Sequence, residues 1–218
     1  MDLTQTLDGY CERLDPSFWA EPINAITNVA FLISAIIMWP RSRELAMARL
    51  LCVILFVIGI GSFLFHTYAQ TWAAIADVLP IIAYVLAYIF AATRDFYGQK
   101  TWVAALAVAL FFPYAAALVP LFAQIPGFES SSAYGPVPLL IVIYAVGLRN
   151  KAPQTARNLA IGAGLICLSL FLRSIDIPLC HALPYGTHFL WHVLNAVALG
   201  WMIETYRRHM LAPPKNLG

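Results

Sequence analysis

Charge is what this sequence lacks. Only 11% of its 218 residues are Asp, Glu, Lys or Arg, whereas 61% are hydrophobic, and the mean hydropathy is +0.75. A soluble domain carries about 25% charged residues. So few charges cannot cover a water-facing surface, which leaves the lipid bilayer as the main solvent and one membrane domain as the natural count. The net charge is +2 and the basic residues are scattered, so no nucleic-acid partner is expected. Four cysteines are too few for a disulfide scaffold. The opening MDLTQTLDGYCERLDP has neither a basic stretch nor an early apolar run, so no cleavable signal peptide is expected. Internal repeats and low-complexity tracts are missing as well.

What is present is a series of apolar runs. A membrane-crossing helix needs about 20 largely apolar residues. Seven candidates have approximate cores at 23–39, 50–66, 73–92, 101–119, 136–148, 158–175 and 187–204; the fifth is short and follows Gly135-Pro136-Val137-Pro138. This pattern predicts an all-α integral membrane protein, a seven-transmembrane helix bundle. An outer-side segment at 1–22 precedes the membrane domain at 23–206, and a basic tail follows at 207–218. The aromatic residues read mainly as lipid-facing surface and interfacial belts.

The Lys/Arg bias of short loops sets the orientation. Arg41, Arg43 and Arg49 follow the first run, Arg94 and Lys100 the third, Arg149, Lys151 and Arg157 the fifth, and Arg207, Arg208 and Lys215 the seventh. Eleven of the 13 basic residues therefore share one side. The other side carries Asp2, Asp8, Glu12, Asp15, Glu21, Glu129 and Asp176, with Arg13 as its one clear cation. The expectation is a multi-pass protein of a bacterial inner membrane or a eukaryotic endomembrane. Its N-terminus is outside (periplasmic or lumenal) and its C-terminus cytosolic.

Ionisable residues inside a membrane are costly and mark candidate sites. Ser62 and His66 lie at the outer end of the second run, Asp77 near the outer start of the third, and His188 and His192 at the outer start of the seventh. His188 and His192 are four apart, so on a helix both rings leave one face. Two such imidazoles suit one zinc ion, with His66 as a third ligand from a neighbouring helix. Three protein ligands leave a position open for chemistry. The sequence lacks the Glu of an HExxH motif, so Asp77 is the nearby candidate for a general base. A single membrane His or Asp serves as readily in packing or in lining a water cavity; it is the convergence of these residues at one depth that favours a site. Elsewhere, His181 reads as a loop residue and His209 as part of a solvated tail. Arg173 and Asp176 read as a local ion pair, Glu204 as a partner of Arg207 or Arg208, and Cys52 and Cys167 as buried thiols.

The ordered set of motifs resembles the alkaline ceramidases, within a wider group of seven-span metal-dependent hydrolases that includes the adiponectin receptors. The resemblance is carried by YCER…WAEPINAITNVAFLISA (Tyr10 to Ala35), GSFLFHTYAQTWAAIADVLPI (Gly61 to Ile81), SIDIPLC (Ser174 to Cys180) and HFLWH (His188 to His192). It implies an amidase that cleaves ceramide, or a similar N-acyl lipid, into a fatty acid and a sphingoid base. It implies zinc ligands at His66, His188 and His192, a general base at Asp77, and Ser62 beside the metal to hold the substrate carbonyl or oxyanion. It also implies a disulfide between Cys11 and Cys180, which an oxidising exterior permits. A calcium site at the N-terminus is implied by a partial match: Glu12 and Glu21 occupy pattern positions and Asp8 is the nearest Asp. Tyr10 stands where the family has Trp, and Asp15 stands in for an Asn.

Two other classes compete. A receptor of the adiponectin-receptor type would have its N-terminus in the cytosol, opposite to this charge bias. A transporter would distribute ionisable residues through the membrane depth, whereas these gather near one face. Neither the lipid headgroup nor the oligomeric state follows from these motifs.

Overall fold

In hydrocarbon the backbone has no water to bond with, so apolar runs must satisfy their own N–H and C=O groups, and helices do this. The computed structural model describes residues 2–212; Lys215 and the remainder of the tail lie outside the described residues. The main helices are α1 (Pro22–Thr27), α2 (Val29–Arg41), α3 (Ala46–Tyr68), α4 (Thr71–Ala91), α5 (Thr101–Phe122), α6 (Pro136–Leu148), α7 (Pro153–Ser174) and α8 (His188–Met210). A π-helical turn at Ala92–Phe96 extends α4, and 3-10 turns at Glu129–Tyr134 and Ile177–Leu179 lie in the connections before α6 and α8. No strand forms among the described residues.

Five helical segments are long and apolar enough to cross a membrane: Pro22–Arg41, Ala46–Tyr68, Thr71–Phe96, Thr101–Phe122 and Pro153–Ser174. α6 is apolar but has only 13 residues. α8 has 23 residues, but its two histidines, Glu204, Arg207, Arg208 and His209 dilute its apolar character. The first apolar run is broken at Asn28, whose Nδ2 donates to the Asn24 carbonyl at 2.9 Å.

α8 packs against α2, α3 and α7, α3 pairs with α4, and α6 lies on α7. α5 is peripheral, with Ala104 as its one buried residue. Outward side chains such as Ile36, Leu79, Leu110 and Phe112 form an apolar skin suited to lipid. Without a hydrophobic difference between lipid and core, polar rungs supply part of the helix association. Three of them end on carbonyls of α8: Ser34 Oγ donates to Ala196 O (2.9 Å), Tyr84 Oη to Leu199 O (2.8 Å) and Tyr88 Oη to Met202 O (3.1 Å).

At the end of α8 far from its histidines, Glu204 accepts from Arg207 and Arg208, as expected, and also from Arg41 of α2 at 3.0 Å. His209 departs from the expectation of a solvated tail. α8 continues through it, its ring lies 4.5 Å from that of Phe96, and its Nδ1 is 2.8 Å from Thr155 Oγ1. Cys52 is buried as expected, but Cys167 is exposed, because the buried stripe of α7 runs through Gly162, Ala163, Ile166 and Leu170 and leaves Cys167 outside it.

The histidine end is held by the N-terminal segment. The first N–H groups of a helix have no partner within it. For α4, the Gln5 carbonyl accepts from Thr71 N (3.1 Å) and the Leu3 carbonyl from Trp72 N (3.0 Å), while Leu7 N donates to Ala69 O at 2.7 Å. A Cys11–Cys180 disulfide ties the same segment to the connection before α8.

Asp176 completes the clamp, and not as an ion-pair partner of Arg173. Its Oδ2 accepts from Cys11 N (3.0 Å), and its Oδ1 accepts from Thr187 N (2.7 Å) and His188 N (2.9 Å). The carboxylate thus caps α8 and favours its positive N-terminal dipole. Gly186 has φ +62° and sits so close to Asp176 Oδ1 that a Cβ would collide with it, so glycine serves both the backbone and the approach. Asp176→Ala would leave three buried N–H groups without an acceptor, at about 1–3 kcal/mol each. The melting temperature in detergent is expected to fall by several degrees; a melt unchanged from the parent would remove Asp176 from this role.

Candidate metal centre

Three helices deliver the residues that the sequence brings to one depth. Ser62 and His66 lie on the last two turns of α3, Asp77 on the second turn of α4, and His188 and His192 on the first two turns of α8. The tight turn between α3 and α4 needs a left-handed residue, and Ala69 adopts φ 45° there. One level deeper, Pro80 cannot donate to the Ala76 carbonyl. Gly61 packs directly against that carbonyl, where any Cβ would clash. The missing N–H on one helix and the missing side chain on the other let α3 and α4 close together beside Ser62 and Asp77.

His66, His188 and His192 are all buried, and one ring nitrogen from each lies within 4.8 Å of the others. The orientation of two rings is set from outside the cluster. Glu21 Oε2 accepts from His66 Nδ1 at 2.6 Å. Thr27 Oγ1 lies 3.0 Å from His192 Nδ1 and also within reach of the carbonyls of Ile23 and Asn24; with its one proton on a carbonyl, it accepts from that nitrogen. In that tautomer both Nδ1 atoms are protonated and both Nε2 atoms carry lone pairs. Those two Nε2 atoms face each other at 3.0 Å. Two acceptors at that distance repel unless a cation lies between their lone pairs. His188 adds an imidazole whose two nitrogens have no protein partner, and Ser62 Oγ and Asp77 Oδ1 are likewise buried and unpartnered. This donor set fits a metal ion such as zinc.

Glu21 is the most heavily engaged carboxylate near the site. Its Oε1 accepts from Arg13 Nε at 2.6 Å, and its Oε2 also accepts from Asn24 Nδ2 at 3.1 Å. Arg13 is itself buried and donates further to the carbonyls of Asp15, Ser17 and His66. Burial works to raise the Glu21 carboxyl, but His66 and Arg13 outweigh it and hold it below the usual carboxylate range. Glu12 instead caps α1, where its two oxygens accept from Ile23 N (2.7 Å) and Asn24 N (2.8 Å). Burial pushes the Glu12 carboxyl up despite these two bonds. Asp8 is exposed, and Asp15 Oδ1 accepts from Ser17 N at 2.7 Å. The acidic residues of the N-terminal segment are therefore spread over separate networks. Among the described residues, the histidine trio is the one group of His, Cys, Asp and Glu placed to hold an ion.

Aromatic rings flank the histidines. Tyr10 stacks on His188 with centroids 3.7 Å apart, and Trp191 lies parallel to the same imidazole at 5.2 Å. Beside Trp191 an apolar cavity is lined by Tyr134, Trp191 and Phe31. It shares Val85, Val137 and Leu199 with a second apolar cavity that reaches Tyr88 and Met202. Arg13, Thr27 and the stacking role of Tyr10 carry no signal along the chain. A buried cation beside a Glu is visible only once the chain is folded.

An acidic partner on the far nitrogen of a ligand histidine fixes its ring and raises its basicity, and losing one typically weakens metal binding 10–100-fold. Glu21→Gln preserves size but removes the charge. Zinc affinity, measured by competition against a chelator, is expected to fall by roughly that factor; an unchanged affinity would show that Glu21 does not support His66.

Among curated proteins, none matches the chain. The sequence model of one family, Ceramidase, matches residues 6–213. That span covers the three histidines and every helix, and the protein belongs to the ceramidase family.

Proposed function

We propose that this protein is a zinc-dependent amidase of the membrane that hydrolyses ceramide, or a ceramide-like N-acyl lipid, to a fatty acid and a long-chain amine. Membership of the ceramidase family implies a hydrolase of amide bonds with a lipid substrate. The observation that carries the metal-dependent reading is the pair of facing Nε2 atoms at 3.0 Å, each with its other nitrogen already committed. We also read the helices as seven spans with the N-terminus outside, which the charge bias of the loops supports. The histidine end then lies near the outer leaflet, at the depth where a ceramide presents its amide.

When held by His66, His188 and His192, zinc would supply a Lewis acid that polarises the amide carbonyl and makes water acidic enough to attack near neutral pH. Asp77 is buried with Oδ1 unpartnered, and it stands within electrostatic reach of His66 and Ser62. Its carboxylate takes the proton from the attacking water and returns it to the leaving nitrogen. The water oxygen joins the acyl carbon, the C–N bond breaks, and the amine departs with the proton. The Ser62 hydroxyl, also unpartnered, donates to the oxygen that gains charge during attack. The two neighbouring apolar cavities, which share Val85, Val137 and Leu199, supply an apolar path for the acyl chain. Tyr10 and Trp191, stacked along His188, restrict water to what the reaction consumes.

Protein purified in detergent is expected to carry close to one zinc per chain, by metal mass spectrometry, and to release fatty acid from an N-acyl lipid. Asp77→Asn is expected to keep the zinc while turnover falls roughly 100-fold or more, the usual scale for a lost general base. Metal-free protein that still turns over at the parent rate would sink the metal-dependent reading. An Asp77→Asn variant at full rate would remove the base. A second prediction concerns the ligands themselves: His192→Ala is expected to lose zinc and turnover together.

A further inference from the structure

Every buried or half-buried charge near the histidines has an ionic partner or a full set of hydrogen bonds, with two exceptions. One is Asp77, which the reaction uses. The other is Arg173, at the outer end of α7. Its Nη1 donates to the Ser130 carbonyl and to Ser131 Oγ (3.3 Å), and its Nη2 donates to Tyr10 Oη (3.3 Å). All three acceptors are neutral. Its Nε is sealed from solvent and has no partner at all. The surrounding carboxylates do not neutralise it. Asp176, three residues on, is occupied by three backbone N–H groups, Glu129 is exposed, and Asp77 is felt only at a distance. Among the described residues Arg173 joins no salt bridge.

The position of this cation is specific. Its guanidinium lies over the rings of Tyr10 (5.8 Å) and Tyr134 (5.3 Å). Tyr10 is the ring stacked on His188, and Tyr134 is 6.1 Å from Trp191. The charge therefore stands one aromatic layer away from the histidine cluster, over Tyr134, which also lines the nearer apolar cavity. A head group on an amide bound at the histidines is within one aromatic layer of Arg173. A guanidinium is a planar fork that pairs with a carboxylate through two N–H groups, and such charge-assisted bonds are roughly twice as strong as neutral ones. A cation without a counter-ion at the edge of a membrane is costly, and an anionic ligand removes that cost.

We infer that Arg173 binds a carboxylate on the head of the substrate, so that the preferred substrate is an N-acyl amino acid or a similar N-acyl lipid with an acidic head. This inference rests on the amidase reading of the histidine site and replaces the long-chain amine of ceramide by an amine that carries a carboxylate. The neutral head of ceramide offers only hydroxyls at this position.

The test uses two amides of equal chain length and similar head size, N-palmitoylglycine and N-palmitoylethanolamine, on the purified zinc-loaded protein. The wild type is expected to favour the acidic amide by roughly 10- to 100-fold in kcat/KM, the scale of a hydrogen-bonded charge pair, mostly through KM. Arg173→Gln is expected to erase that ratio, and Arg173→Lys to restore part of it. A wild type with no preference overturns the inference and leaves the amidase reading standing. So does an Arg173→Gln variant that loses activity equally on both amides, which would mark Arg173 as a support for Tyr10. A variant that changes only inhibition by free palmitate would place the product carboxylate at Arg173 and overturn the headgroup assignment. Thermal stabilisation by each amide is read in parallel, because it does not depend on cleavage. If N-palmitoylglycine stabilises the protein through Arg173 and is not cleaved while ceramide is, the substrate assignment is overturned and the amidase reading stands; if neither amide nor ceramide is cleaved, the amidase reading fails.

Discussion

The site depends on one electrostatic constraint: the Nε2 atoms of His66 and His192 are held 3.0 Å apart inside a low-dielectric bundle. Glu21 grips His66 from α3, and Thr27 grips His192 from α8, each through Nδ1. With lone pairs on both Nε2 atoms, such an arrangement is favourable with a cation between them. The rest of the histidine end keeps these grips in place. Arg13 balances the charge of Glu21, Glu12 caps the short helix α1 that carries Thr27, and Asp176 starts α8 so that His188 and His192 enter the bundle at the right level.

The two ends of the bundle solve the same problem by different means. Far from the histidines, Glu204 collects Arg41, Arg207 and Arg208 and so fastens α2 to α8 with charge. At the histidine end the fastening is mostly backbone: carbonyls of Leu3 and Gln5 cap α4, Asp176 caps α8, and a disulfide joins Cys11 to Cys180. Two charged groups keep a buried atom without a partner, Oδ1 of Asp77 and Nε of Arg173. Gly61 packs against α4 beside Asp77, and the rings of Tyr10 and Tyr134 lie under the guanidinium, Tyr10 also accepting from its Nη2.

Much of this was legible in the sequence, because membranes impose simple rules. The apolar runs fell on helices, since hydrocarbon forces the backbone to satisfy itself. The i, i+4 spacing of His188 and His192 put both rings on one face, and the expected convergence with His66 is met within 4.8 Å. Where local reasoning failed, a partner distant in sequence had won. Arg173 and Asp176 are three apart and oppositely charged, yet Asp176 is claimed by the N–H groups of Cys11, Thr187 and His188. His209 read as tail because it is basic and close to the end of the chain, whereas α8 carries it onto Phe96.

By itself the sequence determined the helical class and the pairing of His188 with His192, since these follow from composition and from spacing along one helix, and His66 followed from its place at the matching end of another apolar run. Only the tertiary structure decided which nitrogen of each ring is free, which cation neutralises Glu21, and that Arg173 lacks an ionic partner among the described residues. Those facts depend on atoms brought together from segments 8 to 165 positions apart, and no periodicity along the chain records such meetings.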